Sequence, residues 1–300
     1  MNRDDGAVPL TTFRLAAAGV GLQVTEAGEG PPLLLLHGFP DSADLWRPMC
    51  KLLAHRFRVW MPDLRGYRES DKPEPVQAYT ITTLLEDVDA LVHAMVGRDG
   101  KVALAGHDWG GMLAWAFAAT RPAQVEKLVV LNAPHPVRFA ELLREDAAQR
   151  EASAYLFRLA APHAAAVLWA ANLAALRGGL QHELPSLAAE ELQAIEHGWR
   201  VPGALEAMLR WYQALDLHLA LQSRARSIPS LGQASGRIDA PTLLLWGERD
   251  GSFVADNLLG LERWVPQLQI RRFPDGGHWL PRQRPEEIAR EIAGFLGSPP

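Results

Sequence analysis

Cysteine is nearly absent from this chain: Cys50 is the one example among 300 residues. A lone thiol excludes an internal disulfide and a thiolate zinc cluster, and it fits a reducing compartment. Basic runs are missing too, and the net charge is −5, which argues against a nucleic-acid partner. No stretch approaches the roughly 20 apolar residues of a membrane-spanning helix. The segment Met1 to Leu10 has no apolar core of a signal peptide. These absences lead us to expect a cytoplasmic protein that engages neither nucleic acid nor membrane. No cluster with metal-ligand spacing is present either, so neither a metal nor an organic cofactor is expected.

What remains is an ordinary globular balance, 48% hydrophobic and 22% charged. The length suits one large domain, or a domain carrying an insert. Strands are expected at Leu22–Glu26, Pro32–His37, Arg56–Pro62, Lys101–Ala105, Lys127–Leu131, Thr242–Trp246 and Gln269–Phe273. Several are continuous apolar runs, such as Leu33 to Leu36 and Leu243 to Trp246. Runs without alternation mark strands covered on both faces, as in a parallel sheet. Helical segments are expected near 82–97, 110–121, 253–263 and 285–296. The alternation of the two implies a doubly wound, mostly parallel α/β fold.

That alternation breaks between about 137 and 225, where Ala, Leu, Glu and Arg dominate and no strand is convincing. Pro134, Pro136 and the loop Ser227–Arg237 punctuate its ends. We expect a core of residues 1–136 and 226–300, with 137–225 inserted as a helical cap. Such a cap would sit over the C-terminal strand ends, where open α/β sheets bind ligands. A plain helical extension packed at the side is the alternative.

The most informative residues are Gly106-His107-Asp108-Trp109-Gly110. They join an apolar strand to a helix, the setting of a nucleophile elbow usually written G-x-S-x-G. Small neighbours let strand and helix approach while the central residue adopts a strained backbone. That central residue is aspartate here. A carboxylate is a poor acyl nucleophile, but it can displace a leaving group from saturated carbon. The chain is thus expected to cleave a C–O or C–halogen bond through an alkyl ester on Asp108.

Hydrolysing that ester requires a base to activate water and an acid to orient the base. His278, in Pro274-Asp-Gly-Gly-His-Trp-Leu280, follows a late strand and suits the base. Asp250 suits the acid, with Glu248 as its rival in the same Trp246-Gly-Glu-Arg-Asp250 turn. The chain order is nucleophile, acid, histidine. An oxyanion hole should take one amide from Trp109 and another from the His37-Gly-Phe-Pro40 loop, with Phe39 favoured. His37 and His107 flank these turns and are expected to support backbone.

Residues 32–300 resemble the α/β-hydrolase superfamily, and within it the branch of epoxide hydrolases and haloalkane dehalogenases. The matching motifs are His37-Gly-Phe-Pro40, Asp63-Leu-Arg-Gly-Tyr67 with Ser70-Asp-Lys-Pro73, Gly106-His-Asp-Trp-Gly-Gly111, Trp246-Gly-Glu-Arg-Asp250 and Gly277-His278-Trp279. One departure is Arg68, where the family usually has glycine.

The leaving group separates the two activities. An opening epoxide yields an alkoxide that needs protonation, and a general acid is worth roughly 100- to 10,000-fold. Halide leaves as a stable anion and needs only N–H donors. The resemblance implies two cap tyrosines over the nucleophile, and this region contains Tyr155 and Tyr212. It therefore points to an epoxide hydrolase acting on a small apolar epoxide and water. A haloalkane dehalogenase is the alternative, with the Trp109 indole as one halide donor but Phe39, not asparagine, beside Gly38. A haloacetate dehalogenase would need arginines where Trp109 and Met112 stand, and a His-Trp pair at Tyr155 and Leu156. A non-enzymatic ligand-binding relative is a further reading, since fold alone does not fix function. Composition leaves monomer and homodimer open.

Overall fold

The computed structural model describes residues 8–215 and 236–297. The first strand, β1 (Leu10–Ala17), was not among those expected. It pairs antiparallel with β2 (Val20–Ala27) in full register, Leu10 opposite Ala27 and Ala17 opposite Val20. Ala18 and Gly19, at φ +36° and +81°, close the hairpin. Two consecutive positive φ values match a turn twisted to suit such a ribbon.

Six further strands follow: β3 (Pro32–Leu36), β4 (Arg58–Pro62), β5 (Val102–His107), β6 (Val125–Leu131), β7 (Thr242–Gly247) and β8 (Leu268–Phe273). Together they make one sheet in the order β1-β2-β4-β3-β5-β6-β7-β8. β2 pairs antiparallel with β4, and every pair from β4 to β8 is parallel. The expected doubly wound, mostly parallel sheet is what forms. Its centre is dry: every residue of β5 and β7 is buried. Full burial of each leucine there is worth about 1.5–3 kcal/mol.

Helices α1 (Arg47–Ala54), α2 (Ile81–Val96), α3 (Trp109–Thr120), α11 (Leu280–Gln283) and α12 (Pro285–Gly297) dress this sheet. The link through α1 steps from β3 to β4, whereas the link through α2 steps back past β3 to β5. Right-handed crossovers in opposite directions put α1 and α2 on opposite faces. α1 packs against α12, and α2 against α3. α3 is apolar all round and buried from Trp109 to Ala118, as a helix between sheet and outer layer must be.

The helix expected at 253–263 does not form. Two short 3-10 turns, Ala255–Leu258 and Leu261–Arg263, take its place. Gly260 between them sits at φ +74°, a left-handed conformation that ends any continuing helix.

Between β6 and β7 the described residues form seven helices: α4 (Pro136–Glu145), α5 (Ala147–Ala152), α6 (Ala154–Ala160), α7 (Ala164–Ala170), α8 (Ala174–Glu183), α9 (Ala189–Arg200) and α10 (Ala204–Gln213). The loop expected at Ser227–Arg237 falls mostly outside the described residues, as does the boundary at 225. Indole N–H groups tie the insert to the core: Trp199 donates to the Pro40 carbonyl (2.6 Å) and Trp211 to that of Arg65 (3.0 Å). Among the described residues, no helix is long and apolar enough to cross a membrane.

Candidate active site

β3 and β5 are neighbours whose connections leave in opposite directions, which opens a crevice at their C-terminal ends. Leu36 lies opposite Gly106, so the His37–Pro40 loop and the turn after β5 face each other across it. Asp108 makes that turn at φ +53°, ψ −122°. For a residue with a side chain this backbone costs about 1–3 kcal/mol. Small neighbours make it possible: a Cβ on Gly110 would stand 2.2 Å from the Leu36 carbonyl oxygen. One on Gly38 would stand 2.3 Å from Asp108 Oδ1. The two glycines are steric necessities of the turn.

The Asp108 carboxylate is buried at the N-terminus of α3. Its Oδ1 accepts the Phe39 amide at 2.8 Å, and the Trp109 amide opens α3 beside it and favours the charged form. Burial alone would raise its pKa, but His278 and the Trp109 amide outweigh burial and hold it below the ordinary carboxylate value. Asp108 is therefore an anion in a dry crevice, held by the Phe39 amide at the start of α3.

His278 arrives from the loop after β8. Its Nε2 stands 3.6 Å from Asp108 Oδ2, and its Nδ1 bonds to Asp250 Oδ2 at 2.9 Å. Burial opposes charge on this imidazole, yet Asp250 and Asp108 together raise its pKa to about 10. Asp250, after β7, has a fully buried side chain. Its Oδ1 accepts the amides of Ser252 (2.7 Å) and Phe253 (3.1 Å). Glu248, the sequence-level rival, is exposed and ion-paired with Arg272. It takes no part in this cluster.

Sequence reasoning missed Asn132. It follows β6 at φ +41°, donates to Asp250 Oδ2 (2.7 Å) and accepts the Gly247 amide (3.1 Å). Asparagine tolerates the left-handed region better than most residues, so Asn directly after a buried strand was the available signal. His37 and His107 hold backbone, as expected. His37 Nε2 accepts the Leu64 amide (3.0 Å), and His107 Nε2 donates to the His278 carbonyl (2.9 Å). Burial lowers each to about 4, so both are neutral.

A cavity of about 820 Å³ opens over Asp108 between core and insert. Phe39, Asp108 and His278 line it from the core, with Tyr155 of α6 and Tyr212 of α10 from the insert. Tyr212 packs edge-on against Phe39 (5.1 Å) and Trp109 (5.3 Å). Burial, then the charge of Asp108, raises both phenols well above their ordinary value. They are protonated, and so are hydrogen-bond donors. Among the described residues, no group of three or more His, Cys, Asp or Glu could hold a metal ion.

Arg68 resolves the one departure in the motifs. It adopts φ +42°, the conformation that glycine would supply freely. Its guanidinium ion-pairs with Asp44 and bonds to Ser42 Oγ, while its stem lies against Gly198 of α9. The loop keeps its left-handed turn, and the side chain makes contacts that offset the strain.

A family model described as the alpha/beta hydrolase fold matches residues 31–285. The chain belongs to the α/β-hydrolase family. A mouse member of it, epoxide hydrolase 3, is 31% identical over 288 residues, covering 93% of this chain and 75% of that protein. The Bacillus subtilis AB hydrolase superfamily protein YfhM is 31% identical over 284 residues, covering 93% of this chain and 95% of that protein. Among solved α/β hydrolases, an epoxide hydrolase of Bacillus megaterium with a bound inhibitor superposes at a TM-score of 0.88 and 29% identity. That match covers 95% of this chain and 100% of the other.

Proposed function

We propose that this α/β hydrolase is an epoxide hydrolase that opens an apolar epoxide to a diol through an alkyl ester on Asp108. The observation that carries the reading is the pair of protonated tyrosines facing an ionised aspartate across one cavity. A carboxylate supplies the nucleophile for saturated carbon, and phenols supply the acid an alkoxide needs. The names of the similar proteins agree with it. Helices α4–α10 then act as a cap, in which α6, α7, α8 and α10 line the cavity over Asp108 and carry both tyrosines.

The steps follow from the charges. Asp108 attacks a ring carbon, and the C–O bond breaks toward oxygen held by Tyr155 and Tyr212. The alkoxide gains a proton through a tyrosine hydroxyl, which is replenished from the His278 imidazolium. Alkylation also removes the charge of Asp108, one of the two that raise His278. The neutral imidazole, oriented by Asp250, then takes a proton from water as that water adds to the ester carbonyl. The Phe39 and Trp109 amides hold the oxyanion. Collapse breaks the bond between the carbonyl carbon and the alkyl oxygen, the departing alkoxide takes the proton of the newly added hydroxyl, and the diol leaves with carboxylate and imidazolium restored. The Trp109 ring packs edge-on against Tyr212 at 5.3 Å, and Phe39 offers no side-chain donor where a halide would need its second one, so the site favours the epoxide reading.

The experiment is single turnover in heavy-oxygen water, with a panel of epoxides and haloalkanes. The reading expects diol release and solvent oxygen in the Asp108 carboxylate. Unlabelled Asp108 after turnover, or halide release without diol, would overturn it.

A further inference from the structure

Helix α8 presents Ala175, Leu176, Gly179, Leu180 and Glu183 to the cavity. Steps of three and four residues put these positions on one helix face. Glu183 is the inner end. Its Oε2 lies 3.2 Å from the point where a Gly277 Cβ would stand, beside the loop carrying His278. From Glu183 back to Ala175 the helix rises about 12 Å. The wall therefore leads outward from the reacting centre. Val167 of α7 lines the same cavity while 56% exposed, so the cavity reaches the surface there.

Two adjacent glycines, Gly178 and Gly179, interrupt this helix. Each costs roughly 1 kcal/mol of helix stability relative to alanine. Packing gives no reason for either: a Cβ at both positions would meet nothing within 4 Å, and neither has a left-handed backbone. Only Gly179 lines the cavity. A bare stretch of helix there leaves the passage open where a side chain would project into it. At about 820 Å³ the cavity lies in the upper part of the roughly 300–1,000 Å³ range of ligand pockets, with room for more than a small ring. Leu168, Leu176 and Leu180 make the passage aliphatic.

We propose that Gly179 is a specificity-determining position that keeps a tail channel open along α8. The substrate it selects is an elongated aliphatic epoxide, its ring at Asp108 and its chain running over Gly179 toward Val167. The epoxide end of this assignment rests on the function proposed above, whereas the channel rests on α8 alone.

The test compares Gly179→Leu with Gly178→Leu, which adds the same side chain one position away, outside the lining. Binding of butanediol and dodecanediol is measured by calorimetry, and turnover of epoxybutane and epoxydodecane by diol release. Both variants should melt above wild type, which shows that they fold. Gly179→Leu should weaken dodecanediol and lower epoxydodecane kcat/KM by about tenfold or more, as expected when a hydrophobic slot loses several methylene sites. Its butanediol affinity should stay within about twofold, and Gly178→Leu should leave both lengths unchanged. Equal loss for short and long ligands, or none, would overturn the channel. Length-dependent diol binding without turnover of either epoxide would instead remove the epoxide reading and leave the channel standing.

Discussion

Removing the two phenolic oxygens isolates the acid from the nucleophile. Tyr155→Phe and Tyr212→Phe delete one oxygen each and keep the rings, including the edge contacts of Tyr212 with Phe39 and Trp109. What disappears is a donor to the developing alkoxide. A hydrogen bond to a charged group is worth about 1.5–3 kcal/mol, or roughly 10- to 150-fold per tyrosine. The double variant should then lose on the order of 100- to 10,000-fold, the range of a missing general acid. Burial and the Asp108 charge keep both phenols protonated far above neutrality. The defect should accordingly persist at every pH where the protein stays folded. The assay is kcat/KM for diol release, with thermal melts to show an intact fold. A double variant within about tenfold of wild type would refute the assignment of the acid.

His278→Gln should form the ester on Asp108 but hydrolyse it slowly, so intact-protein mass after epoxide treatment should rise by one substrate. A folded variant that binds substrate and shows no adduct would count against the two-step route. Stability should also report His278. Its pKa is raised from 6.5 to about 10 on folding, so its contribution is complete below pH 6.5 and is lost as pH rises toward 10. Wild type should lose melting temperature across that window more steeply than His278→Gln; parallel curves would remove the charged pair. Asn132→Ala leaves Asp250 its two amide partners but takes away the 2.7 Å donor. We expect kcat to fall about ten- to a hundredfold with KM little changed. An unchanged kcat would make Asn132 a purely structural residue.

The parts of this protein that were legible in sequence are those where backbone geometry dictates residue type locally. Asp108 is bracketed by glycines because a Cβ at Gly110 would collide with the Leu36 carbonyl. The collision is a property of the turn, and the turn can be recognised from a strand, two glycines and a helix. Asp250 and His278, which the structure brings together, each stand in a short loop behind a strand: Asp250 behind the buried apolar run of β7, His278 behind β8, an edge strand whose residues Gln269 to Arg272 are exposed. β1 was overlooked because it is an edge strand, with Thr11, Thr12, Arg14 and Ala16 exposed, and only Phe13 and Leu15 half-buried. So thin an apolar face gives little alternation to read. The helix expected at 253–263 failed for the opposite reason: one glycine at φ +74° overrode a run with helical composition.

The wall of the cavity belongs to a third kind. Composition says that residues 174–183 are helical, but it does not say which face turns toward Asp108. That depends on how α8 meets the core, through Glu183 beside Gly277 and the Glu183 carbonyl, which accepts from Gln283 at 3.2 Å. Until that face is known, Gly178 and Gly179 are equivalent blemishes in a helix. Once it is known they separate: both are exposed, but only Gly179 also lines the cavity. A destabilising residue with no packing reason is then evidence about what passes over it. Substrate selection in this protein is accordingly written in the absence of a side chain, which periodicity cannot register and a Cβ test can.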